Sequence, residues 1–110
     1  RAREAGIPPG AIVVDPGIGF AKRPAHSLRA LAELPRFAAL GHAVMVGVSR
    51  KRFIGEITGV TEPTERMHGT NGANVLALAR GARLFRVHEV RPARHALDVA
   101  WAVVAAGDAR

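Results

Sequence analysis

Three short apolar runs divide the chain, and each is followed by a glycine-rich or charged turn and then a helical stretch. The first run is Ala11-Ile12-Val13-Val14, ending at Asp15-Pro16-Gly17-Ile18-Gly19-Phe20. Leu28, Leu31, Leu34 and Ala38 then recur at helical spacing and predict a helix over 27–40, with Pro35 as a kink inside it. The second run, Ala43-Val44-Met45-Val46, ends at Gly47-Val48-Ser49-Arg50-Lys51-Arg52. A short helix carrying Phe53, Ile54 and Ile57 follows, then a loop over 59–63 and a longer helix over 64–80 bearing Met67, Val75 and Leu78. The third run, Leu84-Phe85-Arg86-Val87, ends at His88-Glu89-Val90. A last helix is predicted over 92–106, with Pro92 in its first turn, Leu97, Trp101 and Val104 as its apolar stripe, and Gly107 as its cap.

Runs of about four apolar residues alternating with helices read as β/α units around a parallel sheet. The fold class is therefore α/β, and residues 1–110 form part or all of one domain. Three strands cannot close a (β/α)8 barrel, which takes about 250 residues, but they match its last three units. The opening Arg1-Ala2-Arg3-Glu4-Ala5-Gly6, followed by Pro8-Pro9-Gly10, reads as a helix end closed by a glycine. That predicts a segment of a longer protein.

Composition narrows the classes. No apolar run approaches the roughly 18 residues that a bilayer demands, and no signal-like segment opens the chain. The absence of cysteine removes disulfides, thiolate metal sites and a Cys nucleophile, and fits a cytoplasmic setting. The net charge is +7, and of the 16 cations only Lys22 and Lys51 are lysines. With abundant alanine, this balance suits a GC-rich genome as well as an anionic partner, so the placement of the cations matters more than their number.

In parallel α/β folds, ligands sit at the carboxyl ends of the strands. Those ends carry Asp15 with Lys22; Ser49, Arg50 and Lys51; and Arg86 with His88. Cations converging there favour a phosphate or diphosphate ligand. Strand alternation puts Leu84, Arg86 and His88 on one face and Phe85 and Val87 on the other. A guanidinium within an apolar run is costly to bury unless paired, so Arg86 is either salt-bridged in an interior or aimed with His88 at a bound anion. Asp15 before Pro16-Gly17 is either a simple turn residue or a carboxylate accepting a ligand's N–H groups. The pattern is neither a dinucleotide fingerprint nor a Walker loop. His26, His42, His68 and His95 have no ligand spacing and read as surface or structural.

Asp15-Pro-Gly-Ile-Gly-Phe-Ala-Lys22, Val46-Gly-Val-Ser-Arg-Lys-Arg-Phe-Ile-Gly55 and Arg86-Val-His-Glu-Val90 together resemble the last three strand-end motifs of dihydropteroate synthases, in order, across essentially the whole chain. The resemblance implies the last three units of a pterin-binding (β/α)8 barrel. It implies a transferase of folate biosynthesis that joins 6-hydroxymethyl-7,8-dihydropterin diphosphate to 4-aminobenzoate and releases pyrophosphate. By the same resemblance Asp15 bonds the pterin N–H groups, Gly47 keeps the pterin slot open, and Lys51 lies between pterin and aminobenzoate. Ser49 and Arg50 take aminobenzoate-side positions, Phe20 is an apolar wall, and Arg86 and His88 hold the diphosphate. Glu89 stands where many relatives have Asp, with little expected effect. Mg²⁺ is implied as cofactor, its ligand lying in the units that precede these, and so is a homodimer formed through the barrel's last helices.

A methyltetrahydrofolate-binding methyltransferase barrel shares the pterin pocket but has no need of diphosphate-holding groups such as Arg86 and His88. A synthase-like paralogue without activity has the same visible motifs. A nucleic-acid module would interleave its cations with aromatics, yet the chain has only four Phe and one Trp, and its cations favour strand ends. Neither a membrane nor a nucleic acid is expected as partner.

Overall fold

The computed structural model describes residues 2, 4–18 and 24–108. Three parallel strands, β1 (Val13–Val14), β2 (Ala43–Val46) and β3 (Ala82–Phe85), form one sheet in the order β1-β2-β3. Helices α1 (Pro24–Ala32) and α2 (Leu34–Ala38) link β1 to β2, α3 (Arg52–Thr58) and α4 (Met67–Ala79) link β2 to β3, and α5 (Val90–Asp108) follows. The β/α alternation predicted from the apolar runs is thus present. Among the described residues no helix is long and apolar enough to cross a membrane.

Several boundaries differ from the sequence expectation. β1 is two residues long because Ala11 closes a 3-10 turn over Pro9–Ala11, donating its N–H to the Pro8 carbonyl at 2.9 Å. The helix expected over 27–40 is two helices. Pro35 cannot donate to the carbonyl four residues back, so α1 stops and α2 restarts after Glu33 with Pro35 in its first turn, where no donor is needed. The helix expected over 64–80 is likewise a 3-10 turn (Pro63–Glu65) and α4, separated at Arg66. Gly107 lies inside α5 rather than capping it. Near the start, Gly6 has φ 87° and the Ile7 N–H reaches the Ala2 carbonyl at 3.1 Å, the bond pattern of a glycine-closed helix end.

The strands expose two faces. Val44, Val46 and Ala82 form a core with Leu34 and Ala77, against which Leu31, Phe37, Ala38 and Phe85 pack. Burying an aliphatic side chain as fully as Val46 or Leu34 contributes about 1.5–3 kcal/mol. A second core, Ile18, Val48, Phe53 and Ile54, seats α3 beneath the strand ends, and Leu31 touches both cores. α4 crosses α3 at Gly69, where a Cβ would stand 2.4 Å from Ile54 Cγ2. α5 buries Ala93, while Trp101, expected in its apolar stripe, is 46 % exposed beneath the Arg83 guanidinium, 4.8 Å from the ring centre.

A register shift in the β2–β3 ladder decides which side chains reach the site. Val44 pairs with Ala82 but Met45 pairs with Leu84, so Arg83 is an extra residue on β3. Ala82 and Phe85 can therefore both face the helix-side core although their spacing has the wrong parity for an unbroken strand. Leu84 and Arg86 then take the opposite face, as the alternation over 84–88 predicted. The third strand lies two residues earlier than the apolar run suggested, and Arg86 follows its last residue.

Asn74 is buried on α4, and its side-chain amide has no hydrogen-bond partner on either atom among the described residues. An unpaired buried amide costs about 1–3 kcal/mol. Asn74→Ala is expected to leave the unfolding free energy unchanged or to raise it by about 1 kcal/mol, whereas Leu34→Ala, at an equally buried site, should lose about 2–5 kcal/mol. Chemical denaturation of the two variants checks this; a loss above about 2 kcal/mol for Asn74→Ala would contradict it.

Candidate functional site

The parallel pairing brings the three carboxyl ends to one edge of the sheet, and the pairing extends past β3. The Arg86 N–H donates to the Val46 carbonyl at 3.0 Å, which places Arg86 beside Gly47. Gly47, Ser49, Lys51, Arg86, Val87 and His88 line a cavity of about 190 Å³. A Cβ on residue 47 would meet Arg86 Nη2 at 2.9 Å, so the missing side chain makes room for the guanidinium.

Asp15 does two things at once. Oδ1 accepts the Gly17 N–H at 2.8 Å, the local turn bond that Asp-Pro-Gly suggests. Oδ2 lies 3.6 Å from Arg86 Nη2. Arg86 is not buried among the described residues: 59 % of its side chain is exposed, because it follows β3 on the face away from the helices. A pair that long and that exposed adds at most about 1 kcal/mol to stability. It does leave a large share of the guanidinium's donors open toward the cavity.

Ser49 ties the second strand end to the third. Its buried hydroxyl accepts the His88 N–H at 3.1 Å and lies 2.7 Å from His88 Nδ1. Taking the hydroxyl proton as the donor makes Nδ1 an acceptor and puts the neutral ring's proton on Nε2. The ring then offers an N–H from its far side, a suitable donor to an anion.

Lys51 Nζ donates to the Ile18 carbonyl, linking the second strand end to the first. Burial, and next the Arg86 guanidinium, push its ammonium below the ordinary value of 10.5, while Asp15 opposes the shift. Phe20 and Lys22 lie outside the described residues.

Arg50 does not line the cavity. Its Nε and Nη2 both donate to Glu89 Oε1, at 3.2 and 2.5 Å. Its own N–H is taken by Thr70 Oγ1 at 3.1 Å, and its carbonyl accepts from Arg66 Nη1 at 2.9 Å. Glu89, Thr70 and Arg66 were not legible as site-supporting residues. Thr70 and Arg66 belong to a helix and the turn before it, and no spacing rule links them to residue 50. Glu89 adjoins His88 in the third strand-end motif, and that adjacency was the one available signal.

Among the described residues no three His, Asp or Glu side chains converge into a metal cage. Asp15 has one oxygen in a turn and the other facing Arg86. The arrangement is instead an anion pocket: two cations and an imidazole, set at strand ends by hydrogen bonds between strands, with a carboxylate at one side.

This constellation on a parallel β/α sheet defines the class. The chain belongs to the family of pterin binding enzymes, whose family model matches residues 1–88. Dihydropteroate synthases are among the relatives it matches. The Neisseria meningitidis serogroup C dihydropteroate synthase is 44% identical over 98 residues, covering 88% of this chain and 34% of that protein. The Xanthomonas albilineans dihydropteroate synthase, solved in complex with 7,8-dihydropteroate, superposes with a TM-score of 0.89 at 47% identity over 93% of this chain and 39% of the other. The Thermus thermophilus enzyme, solved with 6HMPPP, gives 0.85 at 50% identity over 92% and 39%. The chain thus spans about a third of the length of the curated relatives it matches, and its parallel β/α units match a part of the solved enzymes' barrels.

Glu89 provides a pH test of this geometry. Its hydrogen bond from Arg50 is the largest influence holding its carboxyl below the ordinary value of 4.5. A carboxylate lowered on folding stabilises the protein above its unfolded pKa, and that contribution disappears as pH falls through the folded value. The window therefore lies below 4.5. Carbon-detected NMR titration should give Glu89 a midpoint below 4.5, moving upward in Arg50→Ala; an unchanged midpoint would remove the pair.

Proposed function

We propose that this chain is the carboxyl-end part of the active site of a dihydropteroate synthase, which condenses 6-hydroxymethyl-7,8-dihydropterin diphosphate with 4-aminobenzoate. The carrying observation is the single cavity lined by Gly47, Ser49, Lys51, Arg86 and His88 in a member of this family.

In this reading Arg86 and His88 Nε2–H hold the diphosphate. The bond between the pterin's methylene carbon and the diphosphate oxygen breaks, and the leaving group takes the electron pair. The arylamine nitrogen bonds to that carbon and releases a proton. Charge grows on the diphosphate as it departs, so donors already aimed at it bind more strongly then than in the ground state. Lys51 stands between the pterin and aminobenzoate sides. Asp15, still held by the turn, presents its second oxygen to the pterin N–H groups. Ser49 and Arg50 stand on the aminobenzoate side, and Mg²⁺ is held by residues outside this segment. The enzyme works in the cytoplasm.

The test is 7,8-dihydropteroate formation by a full-length enzyme carrying this segment. Arg86→Ala is expected to lower turnover roughly 10²–10³-fold, the effect of losing one charge-assisted contact to a developing anion. Near-wild-type turnover and pyrophosphate affinity would contradict the assignment.

The reading includes a homodimer. α5 leaves Val99 and Val103 67 % and 68 % exposed, and Leu28, Ile57 and Leu76 are exposed on the outer helices. These apolar surfaces suit a second copy. Sedimentation of the full-length enzyme at micromolar concentration should give a dimer, and Val103→Glu should shift it toward monomer.

A further inference from the structure

Arg50 is the one described residue other than glycine with positive φ, at 60°. A left-handed backbone is strained for such a residue and persists only where its surroundings impose it. Here they impose it from three sides. Thr70 Oγ1, on α4, accepts the Arg50 N–H at 3.1 Å. Arg66 Nη1 donates to the Arg50 carbonyl at 2.9 Å. Glu89, just past β3, takes both Nε and Nη2 of the guanidinium on one oxygen.

Arg66 is itself fixed. Its Nε donates to the Val60 carbonyl and its Nη2 to the Thr61 carbonyl, both at 2.9 Å. It passes over Gly55, where a Cβ would lie 2.6 Å from Nη2. One guanidinium therefore pins the loop after α3 to the loop after β2. The result is a conformation fixed before any ligand arrives. Only Arg50 Nη1 has no partner among the described residues, so the clamp decides which donor of Arg50 remains available and where it sits.

We propose that Glu89 is a positioning residue: acting with Thr70 and Arg66, it fixes the direction of Arg50 and thereby sets affinity for the carboxylate-bearing arylamine substrate rather than for the pterin diphosphate. This rests on the reading above that Arg50 stands on the arylamine side. The division between substrates comes from that reading; the geometry adds that Arg50 is held to Glu89 and lies outside the cavity that Arg86 and His88 line. Burial is not what Glu89 supplies: its side chain is 26 % exposed, so the isosteric Glu89→Gln should fold.

The test uses a full-length enzyme carrying this segment. Glu89→Gln is expected to raise KM for 4-aminobenzoate roughly tenfold, the effect of replacing a charge-assisted hydrogen bond by a neutral one. KM for the pterin diphosphate should stay within about twofold, because the weakened hydrogen bond lies on the other side of the site. Glu89→Asp, which keeps the charge, should recover most of the affinity. In an Arg50→Ala background Glu89→Gln should add no more than about twofold, because its action runs through Arg50. An unchanged 4-aminobenzoate KM, an equal rise for both substrates, or a full Glu89→Gln effect without Arg50 would each overturn the proposal. Exchange of the Arg50 Nε–H, followed by NMR, reads the clamp independently of turnover. If the wild-type enzyme makes no dihydropteroate, the functional reading fails, and this exchange alone then judges the clamp. At least tenfold faster exchange in Glu89→Gln supports it, and an unchanged rate overturns it.

Discussion

The site depends on β2 being paired along both edges. Ala43 and Val44 pair in parallel with β1 on one side and Val44, Met45 and Val46 with β3 on the other, so three chain segments that are distant in sequence end at one level. Parallel pairing is not a local property. It is held in place by Val44 and Val46, whose burial against α2, α4 and the base of β3 fixes which strand face meets the helices. With that face fixed, the opposite one has to carry Arg86. The bulge at Arg83 belongs to the same constraint, because without it either Ala82 or Phe85 would turn away from the core.

Beyond the strands, hydrogen bonds between segments replace the packing that loops lack. Lys51 reaches Ile18, Ser49 reaches His88, and Arg50 reaches Glu89. Each crosses from one strand end to a neighbouring one. Cations crowded at one edge repel each other, and here their orientations are set by backbone carbonyls, a hydroxyl and carboxylates. A pocket whose donors are already aimed need not reorganise when charge develops inside it, which is the property an anion-releasing reaction requires. Asp15 shows the economy of the arrangement: one oxygen closes a turn while the other faces Arg86.

Helix boundaries were the least legible part of the fold. Pro35 showed that the helix over 27–40 would be disturbed, but a kink and a restart look alike in sequence. Gly107 resembles a stop signal, yet α5 continues through it. The strand at 84–87 was displaced because apolarity marks what can be buried, whereas the pairing partner decides where a strand begins. Arg86 looked buried for the same reason.

The sequence by itself determined the β/α alternation and the residue types at each strand end, because a period-two apolar run and a helical stripe are local patterns. It also carried the resemblance that named the family, since three motifs in order are independent of how they are placed in space. The tertiary structure alone decided the partners. Glu89, Thr70 and Arg66 meet at Arg50 only once β3, α4 and the turn before it are packed, and Gly47 matters only because Arg86 arrives beside it. Such contacts join residues between 16 and 39 positions apart. No local pattern records them, for each is fixed by the register of one strand against another and not by its neighbours in the chain.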